Sequence, residues 1–128
     1  MRMTKRILVV AGDAGQLRDL RGILEPLGAI LEAPTCRHAL RLVATEKPDL
    51  MILDEALAEM DGVSVTQAAH FLDPALPIVI LAEEPGLLEA GRRPLGDGPS
   101  AYVKKPADPA ALRDEVRRLF TRKIFGGV

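Results

Sequence analysis

At 128 residues and 48% hydrophobic, the chain is long enough for one domain with a buried core and too short for two of ordinary size. Its 17 basic and 18 acidic residues nearly cancel, which excludes a broad field for nucleic acid or anionic lipid. One Tyr, three Phe and no Trp leave few faces for stacking bases, so no nucleic-acid binding by this chain is expected.

The start is basic, but only four apolar residues, Ile7 to Val10, follow before Ala11-Gly12-Asp13. That is too short for a secretion-signal core, and no run approaches membrane-spanning length, so a cytoplasmic protein with no membrane segment is expected. Lys5 to Val10 is a continuous apolar run of the kind found in a strand buried on both faces. Leu17, Leu20, Leu24 and Leu27 then recur at helical spacing and predict an amphipathic helix ending near Gly28. Ala29 to Ala33 is a short second strand closed by Pro34. Thr35 is the N-cap of a second helix whose apolar face is Cys36, Ala39, Leu40 and Val43. The single Cys36 has no partner for an internal disulfide and reads as a small core residue.

Pro48 precedes the third strand, Asp49-Leu-Met-Ile-Leu, which delivers the chain to Asp54. A polar and small-residue stretch, Glu55 to Gly62, leads into a weaker helix, Val63 to Leu72. Pro77 opens the fourth strand, Ile78 to Ala82. Between Pro85 and Pro99 the many Gly and Pro residues allow at most a short helix and then loop. Ala101 to Lys104 is a brief fifth strand. Asp108-Pro109 is N-cap plus N1 proline for a last helix with Leu112, Val116, Leu119 and Phe120 inward, and Lys123 to Val128 reads as a frayed tail. Strand and helix alternate throughout, which predicts an α/β fold: a doubly wound parallel sheet covered on both faces. The working crevice of such a sheet lies beyond the carboxyl ends of its strands. The residues there are Ala11-Gly12-Asp13, Asp54-Glu55, Ala82-Glu83-Glu84 and Lys105.

With these pieces in order, the chain resembles the receiver domains of two-component response regulators, from about Lys5 to Arg122. The resemblance rests on Ile7-Leu-Val-Val, on Pro48-Asp-Leu-Met-Ile-Leu-Asp54, and on Met60-Asp61-Gly62. Pro77-Ile-Val-Ile-Leu and Tyr102-Val-Lys-Lys105-Pro106 complete it. It implies a five-stranded (βα)5 sheet of flavodoxin-like, CheY-like order 2-1-3-4-5, with 1–128 a single receiver domain, core about 5–122. It also implies that Asp54 is the phosphoacceptor, accessible at the crevice floor, and that no enzymatic activity exists beyond self-phosphorylation from a phosphodonor. A carboxylate can accept a phosphoryl group if the incoming charge is neutralised. Lys105 matches the phosphate-contacting lysine, on a Lys105–Pro106 bond implied to be cis. Ala82 and Tyr102 stand at the switch positions.

Two departures from the family pattern bear on function. The family places two acidic residues after the first strand to hold Mg²⁺, and here those positions are Ala11 and Gly12, which offer no side-chain oxygen. The family's Ser or Thr at the end of the fourth strand is Ala82, which cannot donate a hydrogen bond. Asp13, one place further on, reads first as the cap of the helix starting near Ala14 and second as a displaced metal ligand beside Asp54. Glu55, Glu83 and Glu84 are further oxygen sources for a rebuilt site.

Three readings stay open. The preferred one is an atypical pseudo-receiver that signals by protein–protein contact, with Mg²⁺ binding and phosphorylation of Asp54 weak or absent. The second is a phosphorylatable stand-alone regulator with a metal site rebuilt on Asp13. The third, from another class, is a flavodoxin-like cofactor binder, for which Ala11-Gly-Asp-Ala-Gly15 supplies two glycines but no Ser, Thr or Lys. Expected partners are a histidine kinase or another signalling protein, or a second copy in a homodimer. His38 and His70 lie apart on helical segments with no metal-ligand partner in sequence, and Arg92-Arg93 and Arg117-Arg118 read as solvated charge.

Overall fold

The computed structural model describes residues 4–57, 60–86 and 100–126, with side chains through residue 121. Its elements are β1 (Arg6–Val10), α1 (Ala14–Leu24), a 3-10 turn (Glu25–Leu27), β2 (Ala29–Ala33), α2 (Cys36–Glu46) and β3 (Leu50–Asp54). They continue with α3 (Gly62–Leu72), β4 (Ile78–Ala82), β5 (Ala101–Lys104) and α4 (Pro109–Gly126). The strands form one parallel sheet in the order β2-β1-β3-β4-β5, the topology the resemblance implied.

The sheet is held by a strict division of side chains between its faces, because successive residues of a strand point opposite ways. Leu8, Val10, Met51, Leu53, Ile78 and Ile80 pack under α2 and α3 against Cys36, Ala39, Val43, Val65 and Ala69. Ile7, Val9, Leu50, Ile52, Val79 and Leu81 pack under α1 and α4 against Leu20, Leu24, Leu112, Val116 and Leu119. All five residues of β3 and of β4 are buried, so a polar residue at the end of either strand sits on a hydrophobic floor. Each fully buried aliphatic side chain contributes about 1.5–3 kcal/mol, and a one-residue slip would turn both sets outward.

At the opposite end of the sheet from the cleft the register is pinned by polar contacts. The Arg6 amide donates to Asp49 Oδ2 at 2.8 Å, and the Asp49 amide donates to the Arg6 carbonyl at 2.8 Å. The Arg6 guanidinium reaches the carbonyl and carboxylate of Glu46 at the end of α2, 3.1 Å each.

Sequence and structure differ at several element ends. The first helix stops at Leu24, not near Gly28, because Pro26 has no amide to continue the ladder and the chain tightens into a 3-10 turn. The last helix begins at Pro109, as the Asp108-Pro109 pair implied. Its backbone is helical through Gly126, since no helix breaker precedes that glycine. Pro85 and Gly86 have helical backbone, and residues 87–99, which carry the rest of the expected short helix and Arg92-Arg93, lie outside the described residues. Cys36 is buried, and the caps Thr35 (to the His38 amide, 3.1 Å) and Asp108 (to the Ala111 amide, 2.9 Å) are as expected. His70 Nε2 lies 2.9 Å from the Leu76 carbonyl, a local tie at the end of α3. No described helix is long and apolar enough to cross a membrane.

Gly28 lets two strands meet. Its neighbour Ala29 donates to the Lys5 carbonyl at 2.8 Å, and a Cβ on Gly28 would lie 2.5 Å from that same oxygen. The obstacle is backbone and cannot rotate away. Gly28→Ala is therefore expected to destabilise the protein by about 1–3 kcal/mol, read as a lowered urea midpoint with unchanged slope.

Candidate functional site

The carboxyl ends of β1, β3, β4 and β5 set the cleft. Asp54 is the last residue of β3 and pairs in register with Leu81. It is 6% exposed, so it lies at the floor as expected but largely buried, not open. Its Oδ1 accepts from Lys105 Nζ at 2.9 Å and from the Ala56 amide at 3.0 Å. Lys105 follows β5, on the far side of β4, and reaches across it with only a fifth of its side chain exposed. The Lys105–Pro106 bond is cis.

The end of β4 references both residues to one place. The Glu55 amide donates to the Leu81 carbonyl and the Lys105 amide to the Ala82 carbonyl, each at 2.9 Å. Ala82 serves through its backbone; its methyl is buried and offers no donor. Tyr102, in register with Ile80, packs its side chain against the cluster under α2 and α3. An open cleft beside this pair is lined by Gln16, Glu83, Glu84, Lys104, Lys105 and Pro106.

Three carboxylates near the cleft are placed at helix starts. Asp13 Oδ2 accepts from the Gln16 amide at 2.9 Å and caps α1. Asp61 Oδ1 accepts from the Ser64 amide at 2.8 Å and caps α3. The Glu55 carboxylate lies against Gly62, the first residue of α3. Glu83 and Glu84 are exposed. Ala11 is fully buried, its amide donating to the Ala33 carbonyl at 3.2 Å, while Gly12 is exposed. Among the described residues no three His, Cys, Asp or Glu side chains are grouped to hold a metal ion. As arranged, these residues do not form the oxygen shell that Mg²⁺ requires. The arginines whose protonated form is further favoured are on helices: Arg21 by its bond to Glu32 and then by Glu25, Arg118 by its bond to Glu115.

The sequence placed Asp54, Lys105 and Ala82 together, and the structure brings them together. It keeps Asp13 on its own helix. Two participants escaped the sequence. One is the Ala56 amide, whose signal is the habit of Asp to bond the amide two residues on. The other is the contact of Glu55 with Gly62, for which a sequence carries no signal beyond the glycine itself.

Residues 7–117 match the model of the response regulator receiver domain. The chain belongs to that family. It is 36% identical over 112 residues to a 14.6 kDa protein encoded in the sodA1 3′ region of Leptolyngbya boryana, covering 83% of this chain and 82% of that one. It is 33% identical over 123 residues to the response regulator MprA of Mycolicibacterium vanbaalenii, covering 94% of this chain but 52% of the relative, so it spans about half the length of that regulator. A CheY-like receiver domain from Methanospirillum hungatei superposes with a TM-score of 0.87 at 26% identity, over 96% of this chain and 98% of that one. Receiver domains are signalling modules of two-component systems. They typically use Mg²⁺ at the phosphorylation site and work with histidine kinases and other signalling proteins.

The ion pair generates a test of the site. Removing one member of a buried pair leaves the other charge uncompensated. Lys105→Met is expected to cost about 1–3 kcal/mol, and the cost should shrink in an Asp54→Asn background. A double-mutant cycle by urea unfolding measures that coupling.

Proposed function

We propose that this receiver domain is a pseudo-receiver: an interaction module of two-component signalling whose Asp54 has the phosphoacceptor position but reacts weakly or not at all. The observation that carries the reading is the end of β1, where Ala11 and Gly12 supply no side-chain oxygen while Asp13 is engaged as the cap of α1. Phosphoryl transfer to a carboxylate is driven by positioning and by neutralisation of charge. Lys105 supplies one positive charge beside Asp54. A bound cation is worth several kcal/mol to the developing charge, and each ~1.4 kcal/mol is tenfold in rate. Ala82 further deprives a phosphoryl group of a hydroxyl donor, so phosphorylation would be slow and poorly reported to the surface.

On this reading the domain, 1–128, acts in the cytoplasm through recognition by a kinase, another signalling protein or a second copy, without contacting nucleic acid or membrane. A second reading, a phosphorylatable regulator with a metal site rebuilt on Asp13, is favoured by one observation: the Asp54–Lys105 contact is intact.

The deciding experiment is an NMR titration with Mg²⁺ followed by beryllofluoride, on wild type and Asp54→Ala. A well-dispersed spectrum that stays flat is expected. Saturable shifts around Asp54 and Lys105 that vanish in the variant would overturn the pseudo-receiver reading. The end of β1 can be tested by itself. A Cβ on Gly12 would meet nothing closer than the Pro34 carbonyl at 3.9 Å, so a side chain fits there. Gly12→Asp is expected to tighten Mg²⁺ binding by about tenfold or more, because affinity follows the number of charged ligands. Calorimetry checks it.

A further inference from the structure

Gly62 opens α3 and is buried, and the space over its Cα is taken by another residue. A Cβ built there would fall on the Glu55 carboxylate and lie 2.9 Å from Ile80 Cδ1. The two neighbours are not equally able to yield. Ile80 is fully buried in the centre of the sheet, whereas Glu55 is half-buried and its carboxylate ends a flexible side chain. The backbone of Glu55 is fixed by its amide bond to the Leu81 carbonyl at 2.9 Å. A side chain at position 62 therefore needs the Glu55 carboxylate to rotate away, its Cα staying in place, and the Ile80 Cδ1 methyl to give by a few tenths of an ångström. The seat is also favourable for a negative charge, since the first turn of a helix carries partial positive charge.

We propose that Gly62 is a positioning residue for the Asp54 cleft. Its bare Cα seats the Glu55 carboxylate on α3 and so withholds from Asp54 the carboxylate next to it in sequence. This deepens the pseudo-receiver reading and rests on it: the cleft lacks a cation cage partly because a nearby carboxylate is parked. Glu55 adjoins Asp54 and lies within the turn closed by the Ala56 amide on Asp54 Oδ1. Once unseated, the Glu55 carboxylate becomes a second oxygen ligand for a divalent cation beside Asp54. Two carboxylates are the usual protein share of such a site.

Three variants test this, with Mn²⁺ as the probe and paramagnetic broadening of amide signals as the readout. Gly62→Ala expels Glu55. Glu55→Asp, one methylene shorter, leaves Gly62 untouched and cannot reach the seat. Both are expected to bind Mn²⁺ about tenfold more tightly than wild type, with broadening centred on residues 54–56 and on Lys105. The gain of Gly62→Ala should disappear in Gly62→Ala/Glu55→Gln. The proposal is overturned if folded Glu55→Asp binds no more tightly than wild type, or if the gain survives in the double variant. Should Gly62→Ala not fold, Glu55→Asp alone decides. Tight binding by wild type itself would sink the pseudo-receiver reading instead, so the two failures are distinguishable.

Discussion

A carboxylate at the end of a strand buried on both faces must find a positive charge or a donor. Asp54 ends β3, whose five residues are all buried, and its answer is Lys105, 51 residues away in sequence. The two are brought together by the middle strand between them. The carbonyls of Leu81 and Ala82 hold the chain after Asp54 and the chain at Lys105, so both sides of the pair are measured from the end of β4. None of this needs a particular side chain at position 82. A receiver can therefore lose its hydroxyl there and keep the geometry of the pair.

Oxygen atoms near the cleft are not scarce, but those of Asp13, Asp61 and Glu55 are placed at helix starts. Asp13 and Asp61 cap helices that begin at the cleft, and Glu55 lies against the first residue of α3. A cap contributes typically about 1 kcal/mol to its helix, so recruiting Asp13 to a cation would forfeit that bond before any ligand energy is gained. On the pseudo-receiver reading, this is why neighbours do not simply offset having Ala11 and Gly12 where the family has acidic residues. The same side-chain chemistry serves two ends, and in this arrangement the helices hold it.

The fold was legible in the sequence because it is written in periodicity. Four- and five-residue apolar runs alternating with helical stripes leave few options besides a doubly wound sheet, and the register follows from which face each residue must bury. Asp54 and Lys105 were legible for the same reason: each stands directly after a strand. What escaped the sequence depends on local backbone. Pro26 converts the end of α1 into a 3-10 turn. The burial of Asp54 was underestimated because its exposure depends on Lys105 lying over it, a contact between distant parts of the chain. The orientation of Glu55 was invisible because it rests on the shape of an empty space at Gly62.

A switch responds to a ligand only by the difference in that ligand's contacts between two states. In a receiver of the usual kind, a phosphoryl group on the aspartate would draw a cation and a hydroxyl toward itself, and those new contacts are the difference. On the pseudo-receiver reading this chain retains the lysine contact alone, and that contact is already made to Asp54 in the absence of phosphate. Adding a phosphoryl group would then lengthen an existing ion pair more than it would create new ones. The free-energy difference available to move a surface is correspondingly small, and a shift from one to ninety-nine per cent occupancy needs about 5.5 kcal/mol. With so little bias available at Asp54, regulation of such a domain falls to whatever binds its surface, and the stable charge pair becomes a means of holding that surface in one shape.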